Sequence, residues 1–179
     1  MSQNHVNTRL TIKRALSTFQ EIYTENYPRM FAVALKMVGD DNAASDIVQE
    51  VFICLFNRLN NGNVILRINT WLYRAAINKS IDYLRKQKRF QTIETLKDSI
   101  MSTTVEDVID NRETTAAINN AISRLKQREK SLVVLYSEGL SYRDMSFATG
   151  IKFSSVGKML SRTLEKLKKE LKKENYELH

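Results

Sequence analysis

Two carboxylates one helical turn apart, Asp46 and Glu50, are the nearest this chain comes to a catalytic pair. Carboxylates at that spacing do acid–base work only inside a pocket that drives their pKa values apart. Nothing around them in the sequence builds a pocket, which argues against a hydrolase. The two histidines, His5 and His179, stand at the ends of the chain. No Cys/His cluster has metal-ligand spacing, and no glycine loop has the form that cradles phosphates. The single cysteine, Cys54, lies in the apolar run VFICLF, where a buried small side chain is expected. One cysteine excludes an intramolecular disulfide and fits a reducing compartment. The sequence therefore predicts a binding protein with no cofactor, no metal and no enzymatic activity.

The residues that could bind something fall in rows. Asp46, Gln49, Glu50, Ile53 and Asn57 recur at i, i+3, i+4, i+7 and i+11. They would share one face of a helix, opposite an apolar stripe of Val48, Val51, Phe52, Leu55 and Leu59. A solvated surface is the simplest reading of that row when the helix is taken alone. Arg74, Asn78, Asp82, Arg85 and Arg89 make a second row. Beside it Lys79, Tyr83, Lys86 and Phe90 alternate cation and ring. Cations can hold phosphates while rings stack on bases, so this face as a whole fits single-stranded nucleic acid. Any one of its rings could equally face the core.

A third constellation is Gly139–Arg162, which reads as a helix-turn-helix. Ser141 is placed to cap a first helix through Ala148, and Thr149-Gly150-Ile151 supplies the tight turn. Small Ser146 sits where the two helices come closest, and Met145, Ile151, Val156 and Leu160 close the pair on its own core. A bihelical unit this short is usually a DNA reader, although an ordinary helical hairpin has the same pattern.

The elements that position these rows are all helical. Residues 1–14 are polar and expected to be loose. Phe19–Val38 is an amphipathic helix that Pro28 should bend or split. Gly39 ends it, and Asp40-Asp41-Asn42 starts the next helix, about 43–59. Asn60-Asn61-Gly62-Asn63 breaks that helix. A loop with four aliphatics (Val64, Ile65, Leu66, Ile68) follows and either packs back or presents a pocket. Asn69 would cap a third helix to about Phe90, with Ile77, Ile81 and Leu84 facing the core. Residues 91–115 read as a linker with at most a short helix. Helical periodicity returns from Ala116, is broken at Lys126–Glu129, and resumes over Leu132–Tyr136. The last helix starts near Ser154 and carries Leu164, Leu167 and Leu171 among lysines.

Charge supports this division. The formal net charge is +8 over 179 residues, which points to an anionic partner. Residues 1–96 carry 13 Lys and Arg against 8 Asp and Glu; residues 97–115 carry 2 against 5; residues 116–179 carry 13 against 7. Two basic blocks thus flank an acidic connector. The expected architecture is all-α: two small helical domains, 15–90 and 116–173, joined by a flexible acidic linker, 91–115. The start lacks the apolar core of a signal peptide and no run approaches membrane-spanning length, so a cytoplasmic protein without membrane insertion is expected.

Two blocks of this sequence resemble the two conserved domains of bacterial RNA polymerase sigma factors. The first is DIVQEVFICLFNRL (Asp46–Leu59) followed by NTWLYRAAINKSIDYLRKQKR (Asn69–Arg89). The second is AISRLKQREKSLVVLYSEGLSYRDMSFATGI, ending at Ile151. The order, the spacing and the short chain resemble the extracytoplasmic-function (ECF) group. The resemblance implies that Asp46, Gln49 and Glu50, with Ile53 beside them, dock on the clamp helices of the polymerase largest subunit. It implies that Trp71, Arg74, Asn78, Lys79, Arg85, Lys86 and Arg89 bind the melting minus-ten region. The loop carrying Asn60, Asn61, Asn63 and Arg67 would capture a flipped base. The acidic linker would thread toward the RNA exit path. The second domain would sit on the flap of the second-largest subunit. Its Tyr142, Arg143, Lys152, Ser154, Ser155, Lys158 and Arg162 would read the minus-thirty-five duplex. An anti-sigma factor is a further partner that the family often has.

The chain departs from the family pattern in KFSSVGKMLSR, Lys152–Arg162. Lys152 stands where a Ser cap is usual, moving the expected cap to Ser154. Gly157 and Met159 stand where Lys and Arg are usual. Gly157 either lets the backbone approach DNA or weakens the helix. Two other readings therefore stay open: a stand-alone helix-turn-helix regulator, and a sigma-like protein that binds polymerase without reading a promoter.

Overall fold

The computed structural model describes residues 2–94 and 112–173, with side chains described for 19–90, 117–118 and 120–172. Among the described residues every regular element is an α-helix. They are α1 (Ser2–Val38), α2 (Asp41–Asn60), α3 (Ile68–Glu94), α4 (Arg112–Ser123), α5 (Gln127–Ser137), α6 (Tyr142–Thr149) and α7 (Phe153–Lys173). The chain divides into two compact units, Met1–Ser80 and Ile81–His179.

In the first unit α1 and α2 pack side by side. Met30, Val33, Ala34 and Met37 of α1 and Ala44, Val48, Val51 and Leu55 of α2 are fully buried. An aromatic cluster extends this core: Tyr23 meets Phe52 edge-on at 4.7 Å, and Phe19 meets Phe56 at 5.2 Å. Gly39 takes φ 76° after α1, and the Asp40 carboxylate accepts from the Ala43 N–H at 2.7 Å to cap α2.

Several expectations are corrected here. The backbone is helical from Ser2, where the polar start gives no sign of regular structure. Pro28 does not split α1. Ring contacts run through its position, Tyr23 with Tyr27 and Tyr27 with Phe31, and buried Asn26 donates to the Ile22 carbonyl at 2.9 Å. These contacts and the buried residues on both sides of Pro28 offset the one backbone hydrogen bond that proline removes. Cys54 is exposed, not buried. At 100° per residue, Val51, Phe52 and Leu55 turn inward, and Ile53 and Cys54 are left on the outside.

The first half of α3 buries Leu72, Tyr73, Ala76, Ile77 and Ser80, whereas Ile81 and Leu84 are only half-buried. From Arg85 to Phe90 every residue is exposed, and the first compact unit ends within the helix, at Ser80. The expected linker, 91–115, lies outside the described residues except at its ends, where α3 continues to Glu94 and α4 begins at Arg112.

The second unit packs α4, α5 and α6 against α7. Leu132, Leu135, Met145, Ala148, Val156, Leu160 and Thr163 are buried at its centre. The helix does break at this point, but over Arg124–Lys126, and Gln127–Glu129 already form the first turn of α5. Lys126 has no acceptor to offer as N-cap, so Glu129 reaches back and accepts from the Lys126 N–H at 3.2 Å. The same carboxylate is ion-paired with Lys166 of α7. That contact, together with the Lys126 N–H, holds the Glu129 pKa below its ordinary 4.5 despite some desolvation. A carboxyl whose folded pKa is lowered contributes stability above its unfolded value and loses it as pH falls through the folded one. Thermal melts of wild type and Glu129→Gln should therefore differ at neutral pH by less than about 1 kcal/mol, since Lys166 is half-exposed. The difference should vanish below the carboxylate range.

Candidate nucleic-acid interface

The helix-turn-helix forms as the sequence predicts. Ser141 Oγ accepts from the Asp144 N–H at 3.2 Å, and donates to the Asp144 carboxylate at 2.6 Å. Gly150 takes φ 70°, a conformation that strains any L side chain, and its N–H closes α6 on the Ser146 carbonyl. Ser146 Oγ then donates to the Ile151 carbonyl at 2.7 Å, which locks the turn. Phe153 opens α7, so Ser154 lies inside the helix and does not cap it. The outward residues Tyr142, Arg143, Lys152, Ser154, Ser155, Lys158 and Arg162 are all exposed.

Gly157 has a specific neighbour. A Cβ built there would lie 3.3 Å from Tyr142 Cε2, so the missing side chain makes room for that ring. Tyr142 is itself exposed and able to swing outward. Gly157→Ala is therefore expected to raise the melting temperature of this unit by a few degrees, because about 1 kcal/mol of helix propensity outweighs a small ring displacement. A fall in melting temperature would mean the ring cannot move.

In the first unit the outer face of α2 carries Asp46, Gln49, Glu50, Ile53 and Asn57, all exposed, with Ile53 at 59%. Gln49 donates to Ser45 Oγ at 3.3 Å. Glu50 is ion-paired with Lys79 of α3 at 2.5 Å. The α2 row and the α3 row, which the sequence presents separately, therefore share an ion pair. Along α3, Arg74, Asn78, Lys79, Asp82, Arg85, Lys86 and Arg89 are exposed, and Asp82 pairs with Arg85 at 3.5 Å. Tyr83 is half-buried, whereas Phe90 is 67% exposed at the end of the basic stretch.

Of the four aliphatics in the loop between these helices, Ile65 and Ile68 are half-buried, while Val64 and Leu66 stand out. Val64 is 85% and Leu66 93% exposed. Asn60, Asn61, Asn63 and Arg67 are exposed too. Its entry is fixed by Arg58, whose carbonyl accepts from the Asn63 N–H at 3.1 Å and from Asn63 Nδ2 at 3.3 Å. Its exit is fixed where Trp71 N–H donates to the Arg67 carbonyl at 2.9 Å. The Arg58 guanidinium lies 5.5 Å from the centre of the half-buried Trp71 ring, a cation–π contact that ties the two ends together. Sequence reasoning missed Arg58, because its partner is thirteen positions on and across a loop.

Among the described residues no group of acidic, His or Cys side chains could hold a metal, and no helix is long and apolar enough to cross a membrane.

Comparison with known proteins matches this geometry to a family. Residues 22–90 match the sigma-70 region 2 model and residues 115–167 the sigma-70 region 4 model. The sigma factor SigZ of Bacillus subtilis is 30% identical over 133 residues, covering 73% of this chain and 74% of SigZ. The ECF sigma factor SigW of the same organism is 26% identical over 170 residues, covering 88% and 89%. In fold, the chain is similar to the sigma factor RpoE of Bartonella quintana, solved with the anti-sigma factor NepR (TM-score 0.72, 18% identity, covering 87% and 97%). This chain belongs to the sigma-70 family of RNA polymerase sigma factors, in its ECF group. It directs transcription initiation, with core RNA polymerase and promoter DNA as partners. Proteins of this family are initiation factors rather than enzymes.

Proposed function

We propose that the three exposed constellations divide the work of initiation. The α2 row Asp46, Gln49, Glu50 and Ile53 docks on the clamp helices of the polymerase largest subunit. The loop residues Asn60, Asn61, Asn63 and Arg67, with Trp71, Arg74, Asn78, Lys79, Arg85, Lys86 and Arg89 on α3, trap the opened minus-ten strand. The helix-turn-helix rests on the flap of the second-largest subunit and reads the minus-thirty-five duplex. Residues 15–90 and 116–173 are the working domains, and 91–115 the acidic connector. The assembly acts in the cytoplasm.

The observation that carries this reading is the loop. Val64 and Leu66 stand almost fully in water on a segment whose two ends are pinned at Arg58 and Arg67. Apolar groups held out this way cost free energy unless something covers them. A base turned out of the duplex fits: unstacking costs a few kcal/mol, offset by apolar contact and by nearby cations on phosphate. The Bartonella quintana relative was solved with an anti-sigma factor; we infer a protein antagonist of the same kind for this chain.

The test is transcription by purified core polymerase, with and without this protein, on genomic fragments that include its own promoter. Discrete start sites that need the protein are expected, with a shared motif upstream. Core binding without new starts would leave polymerase binding and remove promoter reading. Operator binding by the protein alone, with no affinity for core, would turn the assignment into an ordinary regulator.

A further inference from the structure

The first turn of α7 exposes one residue unlike its neighbours. Phe153, the first residue of the helix, is 60% exposed. Lys152, Ser154 and Ser155 around it are exposed and polar. The core side of that turn is filled by Ile151 and Val156, both buried, so Phe153 is not needed to close the fold. One turn on, Gly157 has no side chain and faces the Tyr142 ring, and Met159 is half-buried. The outward side chains of the first two turns are therefore Phe153, Ser154, Ser155 and Lys158. In a helix-turn-helix the N-terminal residues of the second helix meet base edges in the major groove. The thymine C5-methyl is the apolar group displayed there, where the other bases offer donors and acceptors.

We propose that Phe153 is a specificity determinant that packs on a thymine methyl in the upstream promoter element. Lys152, Lys158 and Arg162 supply charge for the flanking phosphates, and Ser154 and Ser155 supply hydroxyls beside the ring. The departure from the family pattern at Gly157 and Met159 then has a consequence: specificity moves toward the first turn and becomes partly apolar. This inference rests on the promoter-reading assignment above.

The experiment uses reconstituted holoenzyme on a promoter defined by the transcription assay. Each upstream dT is replaced in turn by dU, which removes only the methyl. At one position wild type should lose about four-fold in affinity, the worth of one methyl group withdrawn from water. Phe153→Ala should lose a similar factor on the unmodified duplex and be insensitive to dU at that position. Phe153→Leu should keep part of the discrimination. The salt dependence of binding should be the same in all three, because phosphate contacts are untouched. A Phe153→Ala holoenzyme that still senses dU, or binds as well as wild type, overturns the inference and leaves the initiation role intact. Equal losses on dT and dU duplexes would place Phe153 against polymerase instead, and also overturn it. Absence of any protein-dependent start site overturns the underlying reading and this inference together.

Discussion

Leu160→Ala is expected to unfold most of the second unit while leaving the first one folded. Leu160 is buried, as are Leu132 of α5 and Met145 and Ala148 of α6, and α5, α6 and α7 pack on one another. Truncating a buried leucine costs about 3–5 kcal/mol, from lost apolar transfer and the cavity left behind. A domain of some 60 residues has only about 3–9 kcal/mol to lose. Each unit has its own buried core, so the damage should be confined. Calorimetry should show the first unit melting where it does in wild type and the second transition lost or far lowered. Met145→Leu in the same core conserves volume and should cost less than about 1.5 kcal/mol. In function, Leu160→Ala should abolish upstream duplex binding while affinity for core polymerase through α2 persists in part. Loss of both transitions together would mean the units depend on one another for folding.

What the sequence makes legible follows from what is local in it. The α2 stripe Val48, Val51, Phe52 and Leu55 has a helical period, and all four residues are buried. Ser141 and Gly150 signal a cap and a left-handed turn within ten residues, and both do what their chemistry predicts. Errors arise where a local signal competes with packing. Pro28 costs one hydrogen bond, which the aromatic contacts of Tyr23, Tyr27 and Phe31 offset. The run VFICLF is apolar throughout, so although helical spacing puts Ile53 on the outer row, composition hides the fact that Cys54 faces out beside it. The break expected at Lys126–Glu129 ends at Lys126, because a Glu129 side chain reaching backward to cap α5 leaves no periodic trace. The pairings that organise the candidate site are not legible at all. Glu50 and Lys79 are 29 positions apart, and nothing in either helix alone says that they meet. Arg58 over Trp71 is the same case. Family resemblance assigns roles to single positions; only the fold joins them.

The Glu50–Lys79 pair makes the sharpest test of the proposed division of labour. Glu50→Lys should lower affinity for core polymerase by ten-fold or more. A single like-charge juxtaposition across an interface costs several kcal/mol, and 1.4 kcal/mol is already a factor of ten. Folding should barely respond. Both side chains are about half-exposed, and an ion pair in such a place is worth about 0–1 kcal/mol. The new lysine would, however, face Lys79, so a loss of binding could come from displacing Lys79 and not from Glu50 itself. The charge swap Glu50→Lys with Lys79→Glu separates the two. It restores the pair inside the protein but still presents a cation to the clamp. If Glu50 touches polymerase, the swap should bind core as poorly as the single variant. If Glu50 serves only to hold Lys79 in place, the swap should recover core affinity, and the α2 row would no longer be a docking surface. Lys79→Glu alone completes the set. It should keep near-normal core affinity while weakening capture of the opened strand, with the slope of log affinity against log salt reduced by about 0.7 for one lost phosphate contact on a single strand. Measured together, these variants decide whether one ion pair joins a polymerase-facing helix to a DNA-facing one or merely braces two neighbouring helices.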